Sequence, residues 1–145
     1  MNTSSDSETK LFSVAEANAT LPLVRLIVSD ASALAADIAQ REQRLDSLAE
    51  DREQSSKNDL YAEELEEMRG RLNTDKARLK GFVEELTDLG TRPKSLVEGI
   101  VDFPSMLDGS EVELCWQMGE DEVAHWHEQF EACTERKPIA AISAP

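Results

Sequence analysis

The sequence predicts an α+β fold: a long antiparallel helical hairpin, coiled-coil-like in its spacing, followed by a small C-terminal antiparallel β module. Three observations predict it. Apolar residues recur at alternating intervals of three and four up to Leu89, the pattern stops at Gly90 and Pro93, and alternating β-formers replace it. At 145 residues a single domain is expected. Charged residues at 31% and aromatic residues at 5% suit a long, thin helical architecture better than a thick core.

Residues 1–10 and 140–145 lack periodicity and are expected to be disordered ends. Between them the domain spans 11–139, divided into a hairpin at 11–90 and an acidic β-rich module at 91–139. Ser13 and Glu16 have capping-box spacing and predict a short helix. Pro22, with Thr20 as a cap, predicts that the main helix restarts near Leu21. Val24, Ile27, Ala31, Leu34, Ile38, Arg41, Leu45 and Leu48 then form a heptad seam with Arg41 as its polar member. Ser55, Ser56, Lys57 and Asn58 have turn character. The seam resumes as Tyr61, Leu65, Met68, Leu72, Asp75, Leu79, Phe82, Leu86 and Leu89, in which Asp75 is the polar intruder.

A turn centred on Asn58 makes Arg41 and Asp75 equidistant from it, which predicts that the two intruders form one neutralised layer. The alternative is that each snorkels to water separately. Val28, Leu60 and Val83 widen the apolar stripe beyond what a two-helix seam needs. Either the C-terminal third covers it, or a second copy does in a four-helix bundle, and a homodimer through the hairpin is the expectation.

After Pro93, residues 96–103 and 111–118 read as two strands of a β-hairpin, separated by residues 104–110 with an Asp108–Gly109 turn signal. Val112, Leu114, Trp116 and Met118 alternate onto one face, which should meet the helices in a sheet of two or three strands.

The formal net charge is −15. Such a chain repels phosphates, so a nucleic-acid partner is not expected. No apolar run approaches the ~20 residues of a membrane span, and residues 1–10 lack a basic, apolar leader. A cytoplasmic location without membrane attachment is expected, with Cys115 and Cys133 as thiols. A possible protein partner stays open. From Ser95 to Glu135 there are eleven acidic residues and no Lys or Arg. That segment calls for cations, which a metal, a basic partner, or the Arg69–Lys80 part of the second helix could supply.

Within it, residues 125–128 read His-Trp-His-Glu and hold both histidines of the chain. As a strand, His125 and His127 point the same way and could share a zinc or manganese ion with Asp102 or Glu120. As a helix, His127 joins an apolar face and pairs with Glu131, and His125 lies outside. The candidate ligands or acid/base groups are Asp102, His125, His127 and Glu128. A structural role competes with this reading: histidines packed beside Trp, with a carboxylate taking the ring proton. A Cys115–His127 nucleophile pair lacks an oxyanion hole.

The stretches Leu11–Arg25, Gly99–Pro104, Glu111–Phe130 and Arg136–Ile139 resemble a bacterial family of uncharacterised proteins, domain-of-unknown-function family 2203. The resemblance draws attention to Leu114, Cys115, Trp116, Gly119, Glu120, Trp126, His127, Glu128 and Arg136. It departs from the family's Gly-Phe and Gly-Arg element, where this chain reads Phe130 to Arg136, and it implies no reaction. Two functional classes follow. The first is a non-enzymatic interaction or scaffold protein; the alternative is a divalent-metal-binding protein, in its sharpest form a metal-dependent hydrolase.

Overall fold

The computed structural model of the chain describes residues 10–54 and 59–139, and side chains throughout these except at 52–54, 59 and 60. The expected disordered stretches at 1–9 and 140–145 and the turn at Ser55–Asn58 lie outside the described residues. Two helices precede a five-stranded antiparallel sheet, an α+β fold.

Helix α1 (Val14–Gln54) starts at a reciprocal cap. The Ser13 backbone N–H donates to Glu16 Oε1 at 2.9 Å, and the Glu16 N–H donates to Ser13 Oγ at 3.0 Å. Phe12 before the cap and Ala17 in the first turn both enter the core and staple the entry angle. The helix then runs 41 residues, about 60 Å, straight through Pro22. No restart occurs near Leu21. Pro22 removes one bond, to the Asn18 carbonyl, while Ala17, Leu21 and Val24 around it are fully packed against the sheet. Burial of that face outweighs one missing hydrogen bond.

Mean hydropathy in α1 reaches 1.4 over an 18-residue window, long and apolar enough by composition alone to cross a bilayer. Reading for an unbroken apolar run overlooked this, because Arg25 and Asp30 interrupt the stretch on its solvent side. Its inner side, Leu21, Val24, Ile27, Val28 and Ala31, is buried.

Helix α2 (Asp59–Asp88) returns along α1 for 30 residues, about 45 Å. Ile38, Leu45, Leu65 and Leu72 are buried between them, flanked by Leu34, Leu48, Tyr61, Met68 and Leu79. Arg41 Nη1 donates to Asp75 Oδ2 at 2.6 Å and to Asp37 Oδ2 at 2.9 Å. The polar intruders of the two seams therefore meet. Gly90, at φ 98°, ends α2 in a Schellman motif: its N–H reaches Thr87 O at 2.9 Å and the Thr91 N–H reaches Leu86 O at 3.2 Å.

The sheet comprises β1 (Arg92–Ser95), β2 (Ile100–Leu107), β3 (Ser110–Gln117), β4 (His125–Glu128) and β5 (Lys137–Pro138), paired in chain order. It has five strands rather than the expected two or three, because residues 92–95 and 137–138 add short edges that carry almost no alternation to read. Strand β2 also continues through Pro104 to Leu107, where the sequence reading placed a loop. Pro104 is tolerated because β1 pairs no further along than Asp102, and the outer edge there is taken by Phe12, whose N–H donates to the Pro104 carbonyl at 2.7 Å. Asp108 (φ 52°) and Gly109 (φ 79°) make the two-residue turn that their sequence signals.

Pairing register assigns the two faces. Val101, Phe103, Leu114, Trp116 and Trp126 share the face toward the helices and pack with Leu21, Val24, Ile27, Val28 and Leu86. Phe12 meets Phe103 edge-on at 5.2 Å. The C-terminal third therefore covers the base of the hairpin stripe, including Val28. Met118, expected on this face, lies beyond the end of β3 and is exposed.

Candidate functional site

The opposite face of the sheet carries the chemistry. Asp102 pairs with Cys115, Cys115 with His125, and Glu113 with His127, so these five residues from β2, β3 and β4 project to one side. The His-Trp-His-Glu segment is thus a strand, β4, and the helical alternative does not hold. Gly119 and the acidic triplet Glu120–Glu122 form a turn and a bend instead of a helix start. Edge pairing with β3 and β5 decided this, and neither partner is visible from residues 119–128.

Asp102, Glu113 and His127 are 0%, 1% and 2% exposed. His127 Nδ1 lies 2.7 Å from the Glu128 carbonyl oxygen, and Nε2 lies 3.0 Å from Asp102 Oδ2. Both ring nitrogens thus face oxygens. A neutral imidazole has one N–H to donate and one nitrogen to accept, so which of the two contacts carries the N–H depends on the tautomer. Burial pushes the Asp102 carboxyl above its ordinary pKa, against the pull of His127, Lys94 and Arg92. Glu113 is shifted the same way by burial, with Arg92 opposing at 2.5 Å. Among the described residues, one oxygen of each carboxylate, Asp102 Oδ1 and Glu113 Oε1, has no hydrogen-bond partner. Buried polar atoms left in this state are costly.

Of the four candidate ligands, the fold brings Asp102 and His127 together and leaves the other two apart. His125 Nδ1 stands 4.0 Å from Glu120 Oε2. Glu128 is exposed, and what it offers His127 is its backbone carbonyl. The residue that joins the pair is Cys115: one ligand atom each from Asp102, Cys115 and His127 lies within 4.8 Å of the others. Cys115 was missed as a ligand because its partners come from two neighbouring strands. It is also not a thiol. Its sulfur is bonded to Cys133, a link across 18 residues that the thiol reading did not foresee, since the chain between them turns through β4 before coming back.

The acidic segment finds its cations just outside its own ends. Arg92 binds Glu113 and Lys94 lies 4.0 Å from Asp102, while Arg136 grips Glu120 and Lys137 lies 3.2 Å from Glu131. The cations of α2 do not serve it: Arg69, Arg71, Lys76 and Arg78 pair with Glu66, Glu67, Glu42 and Asp75. Glu120 is the hub of the C-terminal turn. It takes Arg136 with both carboxylate oxygens, accepts the Gln117 N–H at 3.0 Å, and its carbonyl accepts Trp116 Nε1–H at 2.9 Å. Burial opposes its charge, yet Arg136 and the Gln117 amide hold it below the ordinary carboxylate range.

These contacts give a place in the fold to each residue singled out by resemblance, and the comparison with known families agrees with that resemblance. A model for an uncharacterized conserved protein family, DUF2203, matches residues 10–139. The chain belongs to that family. No curated protein and no solved structure matches it. Within this DUF2203 chain, Leu114 and Trp116 are core residues, Trp126 packs at the core edge, and Gly119 turns the chain at φ 106°. Glu120 and Arg136 close the C-terminal turn, which leaves Cys115, His127 and the Glu128 carbonyl to the buried polar face.

Proposed function

We propose that this DUF2203 protein is a non-enzymatic interaction protein whose helical hairpin is the working surface and whose sheet clasps the hairpin base. The observation that carries this reading is the outward face of α1. Leu23 and Leu26 are 48% and 66% exposed there, and Ala19, four residues before Leu23, extends the same strip, with Asp30 next along it before the exposed Ala33. Two adjacent large apolar side chains on a helix whose inner face is already satisfied offer a seam for another helix. A second copy is the occupant proposed, giving a homodimer through α1.

Catalysis is disfavoured by access. Asp102 and Glu113, both pushed above their ordinary pKa values by burial, and His127 on the same face of the sheet are sealed from solvent. A hydrolase would need substrate and water to reach them.

Light scattering across micromolar concentrations tests the interaction reading. The chain is expected to run as a dimer, and Leu26→Glu, which changes an exposed position, is expected to give a folded monomer. A wild-type monomer at these concentrations overturns self-association.

A further inference from the structure

We propose that reduction of the Cys115–Cys133 disulfide opens a zinc-type metal site formed by Asp102, Cys115 and His127. This goes beyond the interaction reading and rests on a different part of the molecule. The three ligand atoms already lie within 4.8 Å of one another. His127 is oriented as metal-bound histidines are: Nδ1 faces a backbone carbonyl at 2.7 Å, which fixes the proton there and leaves Nε2 as the free donor. Nε2 and Asp102 Oδ2 stand 3.0 Å apart, both turned toward the position a cation would take. The unpartnered oxygen of Asp102 is the independent sign that the site is incomplete as it stands.

Charge and ligand type select the ion. One thiolate, one carboxylate and one neutral imidazole carry two negative charges, which a divalent ion cancels in a buried setting. A sulfur, nitrogen and oxygen set suits zinc. Glu113 is on the same face of the sheet, opposite His127 in register. In the oxidised chain the Cys115 sulfur is committed to Cys133 and lacks thiolate character, so the set falls to two ligands.

Access to the bond is one-sided. Cys115 is fully buried, whereas Cys133 is half-buried and lines an open hollow with His125, Thr134 and Arg136. A dithiol reductant therefore attacks Cys133. Its thiolate forms a mixed disulfide with the Cys133 sulfur and expels the Cys115 thiolate. Its second thiol then displaces Cys133 as a thiol, and the reductant leaves as its own disulfide, two electrons having passed to the protein. Arg136 Nη1, 4.0 Å from Cys115 Sγ, faces the departing thiolate with a positive charge.

Cobalt(II) is the probe, because thiolate ligation gives it a charge-transfer band. The full chain, reduced with a phosphine and desalted without oxygen, is expected to take up one equivalent with that band, and zinc is expected to abolish it by displacement. The oxidised chain is expected to show no band. Cys133→Ser should show it without any reductant, and Cys115→Ser should lack it in every redox state. Circular dichroism of each variant separates loss of ligand from loss of fold, and the reduced wild type serves if Cys133→Ser does not fold. No band in either reduced wild type or folded Cys133→Ser overturns the site; equal cobalt affinity in oxidised and reduced wild type overturns the redox gate.

Discussion

At the residue scale, stability rests on a few charged side chains that sequence spacing alone places with unequal success. Arg41 and Asp75 could be paired in advance because both interrupt a periodic seam at equal distance from the turn. The Arg41 hydrogen bond, ahead of its charge, holds the Asp75 carboxyl below its ordinary pKa. A depressed folded value means the contribution is present above the unfolded pKa and is lost as pH falls through the folded one. Wild type is therefore expected to lose more stability on acidification than Asp75→Asn, the gap between them closing below the ordinary aspartate range in urea melts at stepped pH. Glu120 and Arg136 could not be paired in advance, because sixteen residues of irregular chain and a strand separate them. Glu120→Ala breaks the Arg136 pair and strands the Gln117 amide, which should cost about 1–3 kcal/mol by denaturant titration.

Elements follow from local pattern where they are long and from neighbours where they are short. The capping box and the Schellman end of α2 were legible because each is a contiguous set of residues acting on its own backbone. Ser13→Ala should lower stability by about 0.5–2 kcal/mol. Pro22 misled, since its local penalty is real but is overridden by the buried face on either side of it. Pro22→Ala restores an N–H to the Asn18 carbonyl at an exposed position, and a gain of about 1–3 kcal/mol in unfolding free energy is expected. A loss would mean that α1 needs the proline's geometry. Strands β4 and β5 lie at the other extreme: four and two residues long, β4 exists because β3 offers an edge and β5 because β4 does.

At the scale of the whole molecule, two regions differ in how they are held. The base of the hairpin shares its core with the sheet and is fastened by α1 side chains to loops of the C-terminal third. Asn18 accepts the Val123 N–H at 2.7 Å and donates to its carbonyl at 3.3 Å, Arg25 reaches Asp121 O at 2.9 Å, and Ser32 reaches Val97 O at 3.1 Å. The distal hairpin packs on itself through Ile38, Leu45, Leu65 and Leu72. Hydrogen exchange should therefore be slowest at Val24–Val28 and in β2 and β3, and faster near Leu45 and Leu65. Phe103→Ala, which empties the centre shared by Phe12, the sheet and α1, should cost about 3–5 kcal/mol and unfold sheet and base together.

By itself the sequence determined the fold class, the two helices and their pairing, the Asp108–Gly109 turn and the apolar face of β3. All of these are encoded by residues near one another or by a period that accumulates along the chain. Only the tertiary structure decided the number of strands, the strand state of residues 125–128, the Cys115–Cys133 bond, and the choice of Cys115 over His125 and Glu128 as companion to Asp102 and His127. The polar face is assembled by register across three strands, and register depends on which edges meet, a property of the folded sheet that no short window of sequence contains.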